Sequence, residues 1–228
     1  MIDINNKLEV FIITNGRGTF PYCKKTIDEQ QGVLFKTTVI KGLSWLESNN
    51  AILDQCESHF FCRVDDDMLL NPMAVAYMWD CIKKQYKNII MTQWRLWEPY
   101  GKRDLRGVKV YTHPSTKQLG FRINHLGKID KPFREDIVGS KWQIGAYEDI
   151  LGVHACSTYE EHLKYAILRG EHNGKDFPKK RREMQRRIEG FNKSVKDQYM
   201  MSKGALLKRN RKQGWDFYKF CKNREETS

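Results

Sequence analysis

Residues 60–72 read FFCRVDDDMLLNP, an aromatic and apolar run that climbs into three consecutive aspartates. Adjacent carboxylates repel one another, so we expect a cation beside Asp65–Asp67. The run before the aspartates has the composition of a buried strand. Asn71–Pro72 is typical of a helix start and predicts a helix over 72–86. The aspartates are therefore predicted to lie where a central strand ends, just before a helix.

The segments around this stretch alternate between strand-like and helix-like patterns. This order predicts an α/β fold with a mixed, mostly parallel sheet flanked by helices. Beyond residue 100 the pattern weakens to the short strand-like stretches VKVYTH, LGFRI and KWQIGAY, followed by two helical segments. The predicted strands are 8–14, 33–40, 60–65 and 88–98, and the other predicted helices are 20–31, 43–57, 158–172 and about 178–200.

The net charge of +12 is concentrated near the carboxyl terminus. Residues 175–224 contain 17 Lys and Arg against 5 Asp and Glu, whereas the remaining residues contain 23 of each sign. This distribution predicts a domain over 1–174 and a basic helical extension over 175–228. Such a segment is typical of proteins that meet nucleic acid, an anionic membrane or phosphates, and a solvated helical face is the alternative.

The composition is that of a globular protein, with 40% hydrophobic residues in a chain of 228. No apolar run is long enough to span a bilayer, and the first residues lack the pattern of a signal peptide. The six cysteines are scattered without a C-x-x-C pair, which favours reduced thiols over disulfides or a zinc cage. We therefore expect a cytoplasmic protein, in the host cytoplasm if the source is viral.

The triple aspartate has the chemistry of a divalent-cation site. In open α/β sheets, ligands bind outside the carboxyl ends of the strands. Mn²⁺ and Mg²⁺ prefer carboxylate oxygens, and Mg²⁺ is usually held by one or two carboxylates together with substrate phosphates. The alternative is an acidic turn that caps the following helix.

The strand, the D-x-D pattern and the helix that opens near Asn-Pro resemble the nucleotide-sugar site of glycosyltransferases with the GT-A fold. FCRVDDDMLLNP is especially similar to the D-D-D variant of that site. The resemblance implies that Asp67 coordinates Mn²⁺ or Mg²⁺, that Asp65 faces the ribose or the metal, and that Asp66 touches the sugar. It also implies a nucleotide-sugar-binding half over 1–98 and an acceptor-binding half over 99–174.

The same resemblance implies a histidine far downstream that completes the metal site. EDILGVHAC places His154 in a short apolar run after the sheet, with Gly152 before it. Imidazole is a common metal ligand, although a lone histidine is more often structural.

The loop TNGRGTFPYC follows the first strand, where the family contacts the base and the diphosphate. Its glycines complete neither a Rossmann fingerprint nor a P-loop, so no dinucleotide or ATP site is implied. A plain strand-to-helix turn is the alternative. The predicted nucleotide-sugar contacts, besides Asp65 and Asp66, are Thr14, Asn15, Arg17, Lys41 and Arg63.

An inverting transferase needs a carboxylate that takes the proton of the acceptor hydroxyl, whereas a retaining one does not. Family members often carry a Glu-Asp pair near the acceptor, which Glu148 and Asp149 match in part. His154 follows Asp149 by only five residues, which leaves little room for the helix expected there. Asp130 and Asp136 compete for the same role.

The acceptor has to be inferred from the basic and aromatic residues of the second half. Aromatic side chains interleaved with basic ones suit a sugar, stacked bases or phosphates. A UDP-sugar donor and a polyanionic acceptor such as a modified base in bacteriophage DNA are expected, with a glycan or lipid-linked sugar at a membrane surface as the alternative. The predicted acceptor contacts are Trp94, Arg95, Trp97, Lys179, Lys180, Arg181 and Arg182.

Two other classes of protein fit parts of the sequence. A metal-dependent nucleotidyl or phosphoryl transferase would also need paired aspartates and a basic cleft. A non-catalytic nucleic-acid-binding protein would account for the basic extension but would leave the three aspartates without a purpose.

Overall fold

The first strand, β1 (Leu8–Thr14), is buried along its whole length at the centre of the amino-terminal half of the sheet. It pairs in parallel with β2 (Lys36–Lys41) and with β3 (Phe60–Asp65). The connecting helices are α1 (Phe20–Asp28) and α2 (Trp45–Gln55). The structure is a computed structural model that describes residues 8–85, 88–99, 103–122, 130–138, 140–155 and 194–204.

The other half of the sheet contains β4 (Met68–Leu70), β5 (Ile89–Glu98), β6 (Arg103–Thr112) and β7 (Gln143–His154). β6 lies antiparallel between β3 and β5, and β7 is parallel to β5. β4 runs antiparallel to β7 at the edge. Within the described residues the order is β2-β1-β3-β6-β5-β7-β4.

The sheet confirms the predicted mixed α/β architecture, with a different balance of strand directions. Of the six pairings among the described strands, three are parallel and three antiparallel. The strand predicted over 88–98 does not join the parallel series directly. Its hairpin partner β6 inserts between it and β3, because consecutive antiparallel strands pair through a short connection.

Later helices are α3 (Ala74–Ile82), α4 (His113–Leu119), α5 (Asp130–Ile137) and α6 (Val195–Lys203). α3 confirms the helix predicted after Asn71, over a shorter range. No helix among the described residues is long and apolar enough to cross a lipid bilayer.

Two predicted strand segments are found and one is wrong. VKVYTH lies largely in β6 and KWQIGAY largely in β7. LGFRI was wrong as a strand, because Leu119 ends α4, Gly120 turns the chain with φ +70°, and 121–122 have no strand pairing. The helix predicted over 158–172 lies outside the described residues, as does most of the one predicted over 178–200.

Side chains alternate between two apolar cores on opposite faces of the sheet. Val10 and Ile12 of β1 pack into one core, and Phe11 and Ile13 pack into the other. This alternation follows from the two-residue period of a strand, and coverage on both faces explains why β1 is apolar almost throughout.

Four cysteines lie within the described residues, and all are free thiols: Cys23, Cys56, Cys62 and Cys81. Burial raises the pKa of the Cys56 and Cys62 thiols to about 12. Cys23, Cys56 and Cys62 are therefore core residues rather than reactive groups, as the sequence predicted, and Cys81 packs half-buried against the core that contains Cys23 and Cys62.

Helix α6 lies within the predicted extension 175–228, yet it packs against the domain. The ring centroids of Tyr199 and Tyr22 are 5.8 Å apart, and Lys203 Nζ lies 3.6 Å from Glu29 Oε2. Asn71 Nδ2 donates to the carbonyl of Lys203 at 2.6 Å. Residues 194–204 are thus part of the domain, whereas the boundary near residue 174 stays a prediction for the rest of the extension.

Gly152 lets β4 and β7 approach each other closely. A Cβ built on this residue would lie 2.2 Å from the backbone oxygen of Leu69, which is too close for two atoms that are not bonded. In the same register Leu70 faces Gly152 and Met68 faces His154. The absence of a side chain at position 152 therefore lets β4 and β7 pair closely in the register that places His154 opposite Met68, the residue after Asp67.

We predict that Gly152→Ala lowers the free energy of unfolding by about 1–3 kcal/mol, since the added methyl must push the Leu69 backbone aside. Chemical denaturation monitored by circular dichroism measures this change. Gly145→Ala on the same strand is the matched control, because its Cβ would meet the Thr92 side chain at 3.0 Å rather than backbone. Equal losses for the two variants would contradict the prediction.

Candidate active site

The three aspartates occupy the turn between β3 and β4, beside the carboxyl ends of β1 and β7. Asp65 is the last residue of β3, and Asp66 and Asp67 form the turn. The backbone N–H of Ala155, just after β7, donates to the carbonyl of Asp67 at 2.7 Å. Because β1, β3 and β7 run in the same direction, their ends bring the loop after β1, the aspartates and His154 to one edge.

Asp66 points inward and ties the turn to the end of β1. Its Oδ2 accepts hydrogen bonds from Thr14 Oγ1 at 2.7 Å and from the Asn15 backbone N–H at 3.2 Å. Asp66 is only 4% exposed, so the predicted contact with a sugar is corrected to a structural role. The Thr14 hydroxyl donates its one proton to Asp66 and accepts from the Gly16 N–H at 2.9 Å. That proton is therefore not available for a hydrogen bond to the nucleotide base.

Asp67 receives two cationic side chains on one oxygen. Arg17 Nη1 lies 2.5 Å and His154 Nε2 lies 3.5 Å from Asp67 Oδ2. The cations predicted from the charge repulsion among the aspartates are thus partly protein side chains. Burial alone would raise the pKa of Asp67, but His154 and Arg17 together lower it below its ordinary value.

His154 lies between two carboxylates. Its Nε2 faces Asp67, and its Nδ1 lies 3.5 Å from Glu98 Oε1. Burial alone would lower the pKa of His154, but the carboxylates of Asp67 and Glu98 raise it to about 10. The sequence identified His154 but not Glu98, because nothing local distinguishes a glutamate at a strand end that is brought to a histidine 56 positions later.

The donor atoms around Asp67 suit a divalent cation that arrives with a substrate. Within the described ranges, no group of three or more His, Cys, Asp and Glu side chains is arranged to hold a metal alone. Asp67 Oδ1 is nevertheless buried and makes no hydrogen bond to any described residue. Carboxylate oxygen with imidazole nitrogen suits Mn²⁺, and a metal bound through few protein ligands takes the rest from phosphates and water.

Arg63 lies beneath the site rather than in it. It is 2% exposed, its guanidinium is 4.6 Å from the centroid of the Trp45 ring, and its Nη1 donates to Asn49 Oδ1 at 3.0 Å. Its Nε lies 3.8 Å from Asp65 Oδ1. The predicted nucleotide contact for Arg63 is therefore corrected, since its covered side chain neighbours Asp65 instead.

Asn15 and Lys41 are exposed at the same edge as the aspartates. The N–H of Gly42, which follows Lys41, donates to the Thr14 carbonyl at 3.2 Å. The ends of β1 and β2 are thereby joined, and both predicted contacts remain open to a ligand.

Glu148 and Asp149, two of the carboxylates predicted to act as catalytic base, do not contact the three aspartates in the structure. Asp149 accepts a hydrogen bond from the Tyr77 hydroxyl at 2.7 Å, and Glu148 pairs with Arg95 and with Arg106. Both precede His154 by five or six strand residues, or roughly 15–20 Å of extended chain. Asp130 opens α5, with its side chain outside the described atoms, and the competing Asp136 pairs with Arg122.

The predicted acceptor residues are divided between the core and the surface. Trp94 is fully buried and stacks on Tyr147, which corrects its assignment as an acceptor contact. Trp97 is half-buried against the same core. Arg95 is engaged by Asp104 and Glu148. Lys179–Arg182 lie outside the described residues.

Comparison of the whole fold with solved structures identifies the same architecture. The mannosyltransferase PcManGT from Pyrobaculum calidifontis, in complex with GDP-Man and Mn²⁺, matches with a TM-score of 0.56 and 11% identity, covering 97% of this chain and 75% of that one. TarS 1–349 from S. aureus in complex with UDP matches with a TM-score of 0.54 and 11% identity, covering 92% and 74%. The complex of TarS 1–349 with UDP-GlcNAc gives 0.50 and 13%, covering 97% and 92%.

These likenesses confirm the predicted GT-A fold. At such low identity the comparison defines the fold and nothing finer. No family model matches the sequence, and no curated protein matches it.

We predict that Thr14→Val lowers the free energy of unfolding by about 1–3 kcal/mol, since it leaves a buried oxygen of Asp66 without its hydroxyl donor. Thr14→Ser keeps the hydroxyl and serves as the matched control. Denaturant unfolding of the two variants measures the difference. Equal stabilities would mean that the hydroxyl does not support the turn.

Proposed function

We propose that the chain is a glycosyltransferase that moves a sugar from a nucleoside-diphosphate sugar to an acceptor hydroxyl with a divalent metal. The observation that carries this proposal is the convergence of Asp67, Arg17 and His154 at the carboxyl edge of a GT-A sheet. A UDP-sugar is the first candidate donor. The complexes of PcManGT with GDP-Man and Mn²⁺ and of TarS with UDP-GlcNAc support this choice of donor class and metal.

In this proposal Asp67 and His154 hold Mn²⁺ or Mg²⁺, and Asp65 faces the metal or the ribose. The bound metal would stabilise the negative charge that develops on the departing nucleoside diphosphate. Arg17 lies on the exposed loop after β1, so its guanidinium can turn from Asp67 toward phosphate oxygens and donate hydrogen bonds there. Asn15 and Lys41 flank the same edge and are proposed contacts to the nucleotide.

The proton acceptor stays a prediction. Asp149 accepts a hydrogen bond from Tyr77, and Glu148 pairs with Arg95 and Arg106, interactions that favour the ionised form of each carboxylate and weaken it as a base. Asp130, at the start of α5, is the third candidate.

We predict that Asp67→Asn weakens Mn²⁺-dependent binding of UDP or GDP by at least about tenfold, because it removes a charged metal ligand. Isothermal calorimetry with and without Mn²⁺ measures the effect. Asp80→Asn, at an exposed position of α3, is the matched control. Equal nucleotide affinity of the wild type with and without Mn²⁺ would reject the metal site.

Arg17→Gln separates the two roles of Asp67 in the same experiment. Removing the guanidinium leaves the Asp67 carboxylate with one cation fewer, so Mn²⁺ alone should bind more tightly. The nucleoside diphosphate should bind more weakly, because the variant lacks a charged donor for its phosphates.

For the donor reaction, release of a nucleoside diphosphate from a nucleotide sugar supports glycosyl transfer, whereas release of pyrophosphate would indicate a nucleotidyltransferase.

For the acceptor we propose a polyanion, with a modified base in DNA as the first candidate. The support is the excess of positive charge in residues 175–224, since multiple lysines and arginines on one segment suit a phosphate backbone. A peripheral contact with an anionic membrane, bringing the site to a glycan or lipid-linked acceptor, is the alternative.

We predict that DNA binding weakens steeply with salt, and that replacing Lys179, Lys180, Arg181 and Arg182 by Gln makes this dependence shallower. The salt slope should fall by roughly 0.9 for each phosphate that the variant no longer neutralises. Fluorescence anisotropy across a salt series measures both quantities.

The matched control for this experiment replaces the exposed Lys24, Lys36, Lys83 and Lys117 by Gln, which removes the same charge from the domain surface. A salt-independent signal, or an equal decrease in affinity for both variants, would contradict DNA binding through residues 179–182.

A further inference from the structure

Glu98 is a buried carboxylate at the end of β5, next to the candidate metal ligand His154. It is 3% exposed, and its Oε1 lies 3.5 Å from His154 Nδ1. The parallel pairing of β5 with β7 places Trp97 opposite Val153. The residues that follow these two, Glu98 and His154, are thereby brought together at the same edge.

The two nitrogens of an imidazole ring differ in what they can do. One nitrogen can bind a metal only if its lone pair faces the site, and a hydrogen bond from the other nitrogen selects that orientation. In His154 the nitrogen that faces Asp67 is Nε2, at 3.5 Å from Oδ2, and the one that faces Glu98 is Nδ1. The arrangement is therefore an ordered row of carboxylate, imidazole and carboxylate.

A glutamate is an unfavourable choice for a buried position that needs only packing. A carboxylate removed from water is retained where it has a charged or hydrogen-bonding partner, and an apolar side chain would fill the same space without the desolvation penalty. His154 supplies such a partner for Glu98.

We infer that Glu98 is a positioning residue, which accepts the Nδ1–H of His154 and keeps Nε2 directed at Asp67 and at the metal. The part that concerns the metal rests on the proposed function, whereas the orientation of the ring does not. Glu98 itself touches neither substrate nor metal in this assignment.

Two variants test the inference. Glu98→Gln keeps the shape of the side chain but removes its charge, and Glu98→Asp keeps the charge on a chain shorter by one methylene group. Glu57→Gln, at an exposed glutamate, is the matched control. Thermal unfolding establishes whether each variant is folded. If Glu98→Gln does not fold, Glu98→Asp is used in its place.

The first readout needs no metal. In protein labelled with ¹⁵N-histidine, the Nδ1–H of His154 should give a downfield, slowly exchanging proton signal, assigned by its disappearance in His154→Asn. We expect this signal in the wild type and in Glu57→Gln. In Glu98→Gln the neutral amide oxygen is a weaker acceptor, so we expect the signal to move upfield and to exchange faster. An unchanged signal in Glu98→Gln would overturn the inference.

The second readout is the affinity for Mn²⁺ in the presence of UDP or GDP, measured by electron paramagnetic resonance. We expect a decrease of roughly 10–100-fold in Glu98→Gln and partial recovery in Glu98→Asp. An affinity equal to that of the wild type would overturn the metal-directed part. If the wild type itself binds no Mn²⁺, the proposed metal site fails, and the Nδ1–H signal alone decides whether Glu98 positions His154.

Discussion

The hydrogen bond from Thr14 Oγ1 to Asp66 Oδ2 is the interaction on which the geometry of the site depends. It joins the end of β1 to the turn after β3, and the Asn15 N–H reinforces it. With Asp66 fixed inward, its neighbours in the turn must point elsewhere. Asp67 therefore faces the loop after β1 and the end of β7, where a ligand can reach it.

This division also resolves the repulsion among three adjacent carboxylates. The three carboxylates have different environments. Asp65 lies near the buried Arg63, and Asp66 accepts hydrogen bonds from neutral donors and has Arg17 Nη1 at 3.7 Å. Asp67 meets Arg17 at 2.5 Å and also His154. Three carboxylates that would repel one another in an isolated peptide are thus each stabilised by nearby cationic or hydrogen-bonding groups. Of Asp66 and Asp67, Asp67 lies closer to Arg17 on the exposed loop, and it is the carboxylate that we propose as the metal ligand.

The parts of the fold that follow from local pattern were predictable from the sequence, and the parts that depend on distant pairing were not. Apolar runs identified β1, β3 and β5, and Asn71–Pro72 predicted a helix that begins two residues later than expected, at Ala74. The three-residue strand β4 is too short to show a period, and it exists because Gly152 admits it beside β7. Arg63 and Trp94 were misassigned for the same reason, since the residues that cover them come from elsewhere in the chain.

The charged side chains of β5 and β6 bear on whether this surface attracts a polyanion. Arg95 and Arg106 are neighbours across β5 and β6, a pair that alone would attract phosphate. Their guanidinium groups are engaged by Asp104 and Glu148, so these four side chains carry no net charge. This part of the described surface therefore offers little electrostatic attraction to a polyanion.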